Sequence, residues 1–267
     1  MRPYISVWKI RFLNGLQYRS AALAGLATQL FFGFIFIMIF AAFYSQSIQS
    51  QPISLNDLVT YVWLQQIFLA FIALWFRDNE IFQLITSGNI AYELCRPCSI
   101  YEFWYAKLIA QRLSNAALRS FPLLFVVFFL PDPYRMNLPP SLGSFVLFIV
   151  ALLLGLLLLV SISMLIYISV FWTMSPFGSI LMFAVVGEFF AGMVIPVPLM
   201  PMWLQNIANF LPFRWTADFP FRVYSGQIPV NTALWGILIQ LLWLIVILGI
   251  GKLSMRKALR QVVVQGG

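Results

Sequence analysis

The sequence predicts an all-α membrane protein with six transmembrane helices, an N-terminal amphipathic interfacial helix and both termini in the cytosol. Three observations carry that expectation. Of 267 residues, 62% are hydrophobic and only 9% charged, far from the roughly 25% charged residues of a soluble domain. Apolar runs long enough to cross ~30 Å of hydrocarbon recur along the whole chain, so 1–267 reads as one membrane domain with no room for a folded soluble one. The 16 Lys and Arg are distributed asymmetrically: four fall in 2–19, five in 77–119 and four in 252–260, against Arg135, Arg214 and Arg222 on the other side. That bias places both termini inside.

The same distribution explains the net charge of +8 without nucleic acid, because the basic residues sit at the ends of apolar runs as topology signals and headgroup contacts. There is no histidine, and the two cysteines, Cys95 and Cys98, have C-x-x-C spacing. That spacing permits a redox pair or half a zinc site, but zinc needs two further ligands, and the plainer reading is two reduced cytosolic thiols with no metal.

Residues 3–19 place Tyr4, Trp8, Phe12 and Leu16 four apart among Arg2, Lys9, Arg11 and Arg19. One apolar stripe on a basic helix is the pattern of a segment in the headgroup plane, so 1–20 is expected to lie there as an anchor or a moving lever. The first span covers roughly 21–43 and the second 58–76, joined by a polar loop with Gln46, Gln49, Gln51 and Pro52. The third, 110–130, ends at Pro131-Asp132-Pro133. The fourth, 142–171, is long enough that it must tilt or project beyond the bilayer. The fifth begins near Pro176, where proline suits a first helical turn. The sixth covers 232–251 and is closed by Lys252, Arg256, Lys257 and Arg260.

Residues 77–107, RDNEIFQLITSGNIAYELCRPCSIYEFWYAK, form the one sizeable polar segment facing the cytosol. Ile81, Leu84 and Ile85 at i, i+3 and i+4 predict a short amphipathic helix that Gly88 ends in a left-handed conformation. A second short helix carries Tyr92, Glu93, Leu94 and Cys95 up to Pro97. A helical knob with apolar tips and mixed charge has the make-up of a docking element, and the plainer alternative is an ordered surface loop.

Arg112, Asn115 and Arg119 fall at i, i+3 and i+7 and predict one polar stripe on span three. Glu188 stands well inside the apolar run of span five, where a charge costs at least ~2.5–3.5 kcal/mol on insertion scales. Arg119 is ~16 Å from the outer end of its span and Glu188 ~16 Å from the cytosolic end of its own. The two are therefore expected to neutralise each other or line one polar pathway; the alternative is that each is solvated separately. With no His and no series of further acids, a proton relay through Glu188 is disfavoured. Beyond it come Pro196, Pro198, Pro201 and Pro212, and backbone so broken at membrane depth must be buried in protein or line a cavity.

Taken together, the amphipathic start, the six spans, SGNIAYELCRP between spans two and three, and GEFFAGMVIPVPLMPMWLQNIANFLPFRW followed by SGQIP resemble the membrane subunit of ABC-2 type ATP-binding-cassette exporters, the short permeases without an attached ATPase. The resemblance covers nearly the whole chain and rests on the order of degenerate motifs. It implies that 77–107 is a coupling element docking into an ATPase, with Ile81, Leu84, Gly88, Glu93, Leu94, Arg96 and Pro97 near that contact. It further implies two short re-entrant helices over 196–213 forming an outer gate with the end of span five: Phe189, Phe190, Gly192, Pro196, Pro198, Pro201 and Trp203.

The residues agree on one negative: the nearest approach to a phosphate-binding loop, Gly249-Ile250-Gly251-Lys252-Leu253-Ser254, lacks the required spacing. The chain therefore carries no catalytic residues and no cofactor, and ATP with Mg is expected on a partner ATPase. The resemblance implies a multi-pass subunit of a bacterial cell membrane that pairs with itself or a sister permease. The cargo expected is amphipathic: a drug, an antimicrobial peptide or a lipid-linked molecule. Phe183, Phe189, Phe190, Trp203, Phe210 and Trp215 are aromatics that stack on such a cargo or, more simply, pack and anchor helices. A secondary transporter driven by an ion gradient through Glu188 and Arg119 is the alternative from another class. A membrane enzyme is disfavoured, since no Ser/His pair, paired carboxylates or metal set is present.

Overall fold

The structure, a computed structural model, describes residues 2–46 and 51–261. Every element among the described residues is helical. Helix α1 (Arg2–Gly15) matches the amphipathic start, and its Trp8 and Phe12 rings stack at 5.1 Å. Helix α2 (Arg19–Gln46) is the first span; part of the polar loop after it, 47–50, lies outside the described residues.

The segment expected as the second span is not one helix. α3 (Leu55–Ile67), capped by the Ser54 hydroxyl accepting from the Asp57 N–H at 3.1 Å, gives way at Phe68 to a single turn, α4 (Leu69–Ile72), and the chain is extended at Ala73. No proline or glycine lies at this break. Two short helices follow, α5 (Asn79–Thr86) and α6 (Ile90–Leu94). Between them Gly88 has φ +76°, the left-handed stop that its position predicts.

The helix over the expected third span is longer than its apolar run. α7 (Ile100–Phe128) starts ten residues before the expected boundary and continues through Pro122. Its charged first half is helical because it is covered by protein: α1 lies lengthwise along it, with the Tyr4 hydroxyl accepting from the Ser99 N–H at 3.2 Å. The stripe of α1 thus faces α7, whose Tyr101, Tyr105 and Ile109 provide an apolar partner surface.

α8 (Leu142–Thr173) is the central post; α12 (Val230–Leu259) packs along it, and α5, α7, α9 and α11 also touch it. At 32 residues it is ~48 Å long, more than the ~30 Å of hydrocarbon, as its sequence length implies. α9 (Pro176–Phe190) starts at the expected proline. After it come a 3₁₀ turn (Val197–Leu199), α10 (Met202–Phe210), a second 3₁₀ turn (Phe213–Thr216) and α11 (Asp218–Tyr224), the last not anticipated from sequence.

By length and composition α2, α8 and α12 are able to cross a membrane. Hydrocarbon provides no hydrophobic force between such helices, so close packing and buried polar contacts hold them together. Ser120 donates to the Ile67 carbonyl at 2.6 Å, Tyr105 to Leu157 at 2.8 Å, and Gln240 Nε2 to Ala151 at 3.0 Å.

Candidate functional site

The break after α4 frees backbone groups that, where they are buried, must be met from within the protein. Two charged side chains meet them. Arg112, fully buried, donates to the carbonyls of Ala73 at 2.8 Å, Phe76 at 3.3 Å and Phe71 at 3.4 Å, and to Ser163 Oγ at 3.3 Å. The Glu188 carboxylate accepts the Leu74 N–H at 3.1 Å and also that of Trp75. The two charges attract each other without a direct ion pair. Each therefore neutralises one side of the same helix end, the guanidinium taking C=O groups and the carboxylate N–H groups.

This arrangement corrects the expected pair. Among the described residues Arg119 makes no ion pair with Glu188; its half-buried guanidinium lies against Gly25 of α2. Arg112 meets the backbone after α4 and Ser163 of α8, whereas Arg119, two turns on, meets α2. The physical reason is that the break at Ala73 brings unsatisfied backbone beside Glu188, and the backbone outcompetes a distant side chain.

At the same end of the bundle a second buried polar cluster holds α5. Asp78 caps it, accepting the Glu80 N–H at 2.9 Å, while the Tyr167 hydroxyl of α8 accepts the Asp78 N–H at 2.6 Å. Lys107 of α7, almost wholly buried, bridges Asp78 and Glu80 at 3.0 Å each, and Arg11 of α1 pairs with Glu80 from the other side. Burial by itself would raise the Glu80 carboxyl, but the hydrogen bonds from Arg11 and Lys107 outweigh it and leave the group below its ordinary value.

The predicted docking residues divide between base and tip. Ile81 is fully buried and Glu93 nearly so, the latter 3.2 Å from Arg96. Ile81 therefore supports the element and presents nothing to a partner, because its side of α5 is the one packed on α8. Leu84 is half-buried. The exposed tip consists of Gly88, Tyr92, Leu94, Cys95, Arg96 and Pro97.

The opposite end of the bundle carries the proline-rich segment, held by a third cluster. Asp218, wholly buried, accepts from Arg214 Nε at 3.1 Å and lies 3.7 Å from Arg222 Nη1 and 3.0 Å from the Tyr61 hydroxyl. Gln65 of α3 donates to the Gly192 carbonyl at 2.6 Å. Gly192 has φ +77°, and a Cβ there would stand 2.5 Å from the Tyr61 oxygen, so both backbone conformation and space require glycine. Gln240 Nε2 reaches the Trp215 carbonyl at 2.7 Å. Val197, Met200 and Ala208 form a small apolar centre with Phe189 and Phe190 packed on it. Pro196 is buried and Pro198 half-buried, whereas Pro201 and Trp203 are exposed.

A family model described as ABC-2 family transporter protein matches residues 25–266. The chain belongs to this ABC-2 transporter family. No curated protein matches the sequence significantly.

For an ABC-2 membrane protein the sequence reading passed over several of the groups that hold these three clusters. Asp218, Tyr61, Gln65, Lys107 and Gln240 went unassigned. Two signals existed. Arg214, Asp218 and Arg222 are spaced i, i+4 and i+8, a charge ladder on one helical face. Gln65 and Gln240 are amides inside apolar runs, which need partners at that depth. Nothing in the sequence marks Lys107 as buried: it stands among Phe103, Trp104, Tyr105 and Leu108 where an apolar run begins, the usual place of an interfacial cation.

Proposed function

We propose that this ABC-2 protein is the permease subunit of an ATP-driven exporter whose ATPase is a separate chain binding ATP and Mg. In this reading α1 and the spans put both termini in the cytosol, with α2, the broken α3–α4 pair, α7, α8, α9 and α12 as six spans. The 77–107 segment is the coupling element and α10 belongs to the outer lid.

One observation supports the reading above others: an exposed tip within Gly88 to Pro97 stands on a base braced to α7 by the buried Lys107–Asp78 ion pair, to α1 by the Arg11–Glu80 pair at the surface and to α8 by the Tyr167 hydrogen bond. A tip so mounted passes a push from a docked ATPase into three helices at once, the requirement for switching a membrane pathway by rigid-body motion. Pairing with a second permease, identical or sister, places two tips for two ATPase subunits. The lid at the opposite end and the abundance of apolar surface favour outward movement of an amphipathic drug, peptide or lipid-linked cargo. The secondary-transport alternative is weakened because Glu188 is engaged by backbone N–H groups and does not pair with Arg119.

The test is ATP hydrolysis in complexes purified on the tagged full-length chain from its native membrane. Vanadate-sensitive hydrolysis is expected with the native sequence. It should fall at least ~10-fold with Leu94→Asp plus Tyr92→Asp, two exposed side chains of the tip, while thermal unfolding of the permease stays unchanged. Transport in vesicles driven by an ion gradient, with no ATPase present, would overturn the reading.

A further inference from the structure

Along the seam of α1, α7 and α12 lies a cavity of about 670 Å³ that the coupling tip and lid do not use. Ile5 and Trp8 of α1, Ala106 and Ile109 of α7, and Ile245 and Leu248 of α12 give it apolar walls. Tyr101, Glu102 and Lys252 line it too. The same three residues line an adjoining cavity of about 270 Å³ together with Ser99, Arg256 and, at its edge toward the coupling tip, Leu94.

Two chambers of different character thus meet at Lys252. Lys252 lies 3.1 Å from Glu102, both side chains about half exposed, and Arg256 one turn on has no ion-pair partner among the described residues. The shared mouth therefore carries two cations against one carboxylate. Tyr101 is 4% exposed and its hydroxyl has no hydrogen-bond partner. Lys252 is also where the apolar run of α12 gives way to basic residues, so the chambers straddle the boundary between hydrocarbon and headgroups.

We propose that the paired cavities bind one anionic phospholipid of the surrounding bilayer, with an acyl chain in the apolar chamber and the phosphate at Lys252 and Arg256. An acyl chain matches the Ile, Leu and Trp walls, and a single negative charge matches the excess cation at the mouth. A neutral lipid fits the first chamber but leaves the second without its counter-charge. The inference rests on the chain spanning a bilayer and is independent of the exporter reading.

Native mass spectrometry of the full chain, released from detergent containing equal dioleoyl phosphatidylglycerol and dioleoyl phosphatidylcholine, tests it. The native protein is expected to retain one phosphatidylglycerol in preference to phosphatidylcholine. Lys252→Ala with Arg256→Ala should lower that preference roughly 30-fold, the equivalent of about 2 kcal/mol for two interfacial cations. Glu102→Gln should raise it. Ile109→Trp, or Ala106→Leu if the former fails to fold, should reduce retention of either lipid by filling the apolar chamber. Equal retention of the two lipids by the native protein, an unchanged preference in the double variant, or undiminished retention in the filled variant overturns the proposal. The ATP-hydrolysis assay above is untouched by any of these outcomes.

Discussion

Replacing Arg112 by methionine tests whether the break in span two is held by charge. The guanidinium makes one short contact, 2.8 Å to Ala73 O, and three long ones of 3.3–3.4 Å. A hydrogen bond to a charged group contributes ~1.5–3 kcal/mol, and an unmade buried carbonyl costs ~1–3. Glu188, half-buried and attracted to Arg112 without a direct ion pair, loses a weaker favourable charge as well. Arg112→Met should therefore destabilise by about 3–5 kcal/mol, read as a lowered midpoint of unfolding in mixed micelles.

Glu188→Gln keeps an oxygen for the Leu74 N–H and should cost only about 1–2 kcal/mol. The double variant should be less destabilised than the two singles added together, by at least ~1 kcal/mol, since the charge left stranded by the first change is gone in the second. Arg119→Met, which removes no hydrogen bond or ion pair seen among the described residues, should cost under ~1 kcal/mol. Strict additivity of Arg112→Met and Glu188→Gln, or a larger loss from Arg119→Met, would refute the reasoning and restore the Arg119–Glu188 pair.

Gly192→Ala forces a side chain into left-handed backbone and against the Tyr61 oxygen, and is expected to cost about 1–3 kcal/mol in thermal unfolding; Gly178→Ala, where nothing lies within 4 Å, should be neutral. Asp218→Asn leaves Arg214 and Arg222 without their buried carboxylate and should destabilise by about 3–5 kcal/mol, with hydrogen exchange rising first in α10 and α11. The tie between α1 and α5 should depend on acid alone. Because Glu80 is held below its ordinary value, its contribution is fully present above the unfolded glutamate pKa of ~4.3 and is lost as pH falls through the lower folded value. Hydrogen exchange of α5 should therefore show the tie intact at pH 6–8 and released only in acid; for Glu80→Gln it should show the loosened state at every pH.

Much of the membrane architecture was legible without coordinates. Runs near 20 residues and the K/R bias are local, one-dimensional properties, so α2, α8 and α12 appear close to where composition places them. Gly88 was equally readable, since a glycine after an amphipathic turn marks a helix end. The length of α7 was not, because Glu102, Lys107 and Arg112 interrupt the apolar run that marks a span, and the protein that covers them is known only from the tertiary structure. Glu188 was correctly singled out as a charge needing partners. Its partners were misassigned because they are backbone N–H groups, which carry no residue identity to search for.

Composition, periodicity and charge bias by themselves determined that this chain is an all-α membrane protein with a polar element over 77–107 and a proline-broken segment over 196–213; the ABC-2 family came from the resemblance of its ordered motifs and the family match. The tertiary structure alone decided which polar groups meet: Arg112 and Glu188 at the Ala73 break, Lys107 under α5, and Asp218 beneath the lid. The difference has a physical cause. Insertion into hydrocarbon depends on summed side-chain hydropathy, which is additive along the sequence, whereas satisfying a buried charge or a broken backbone depends on distances between groups far apart in the chain.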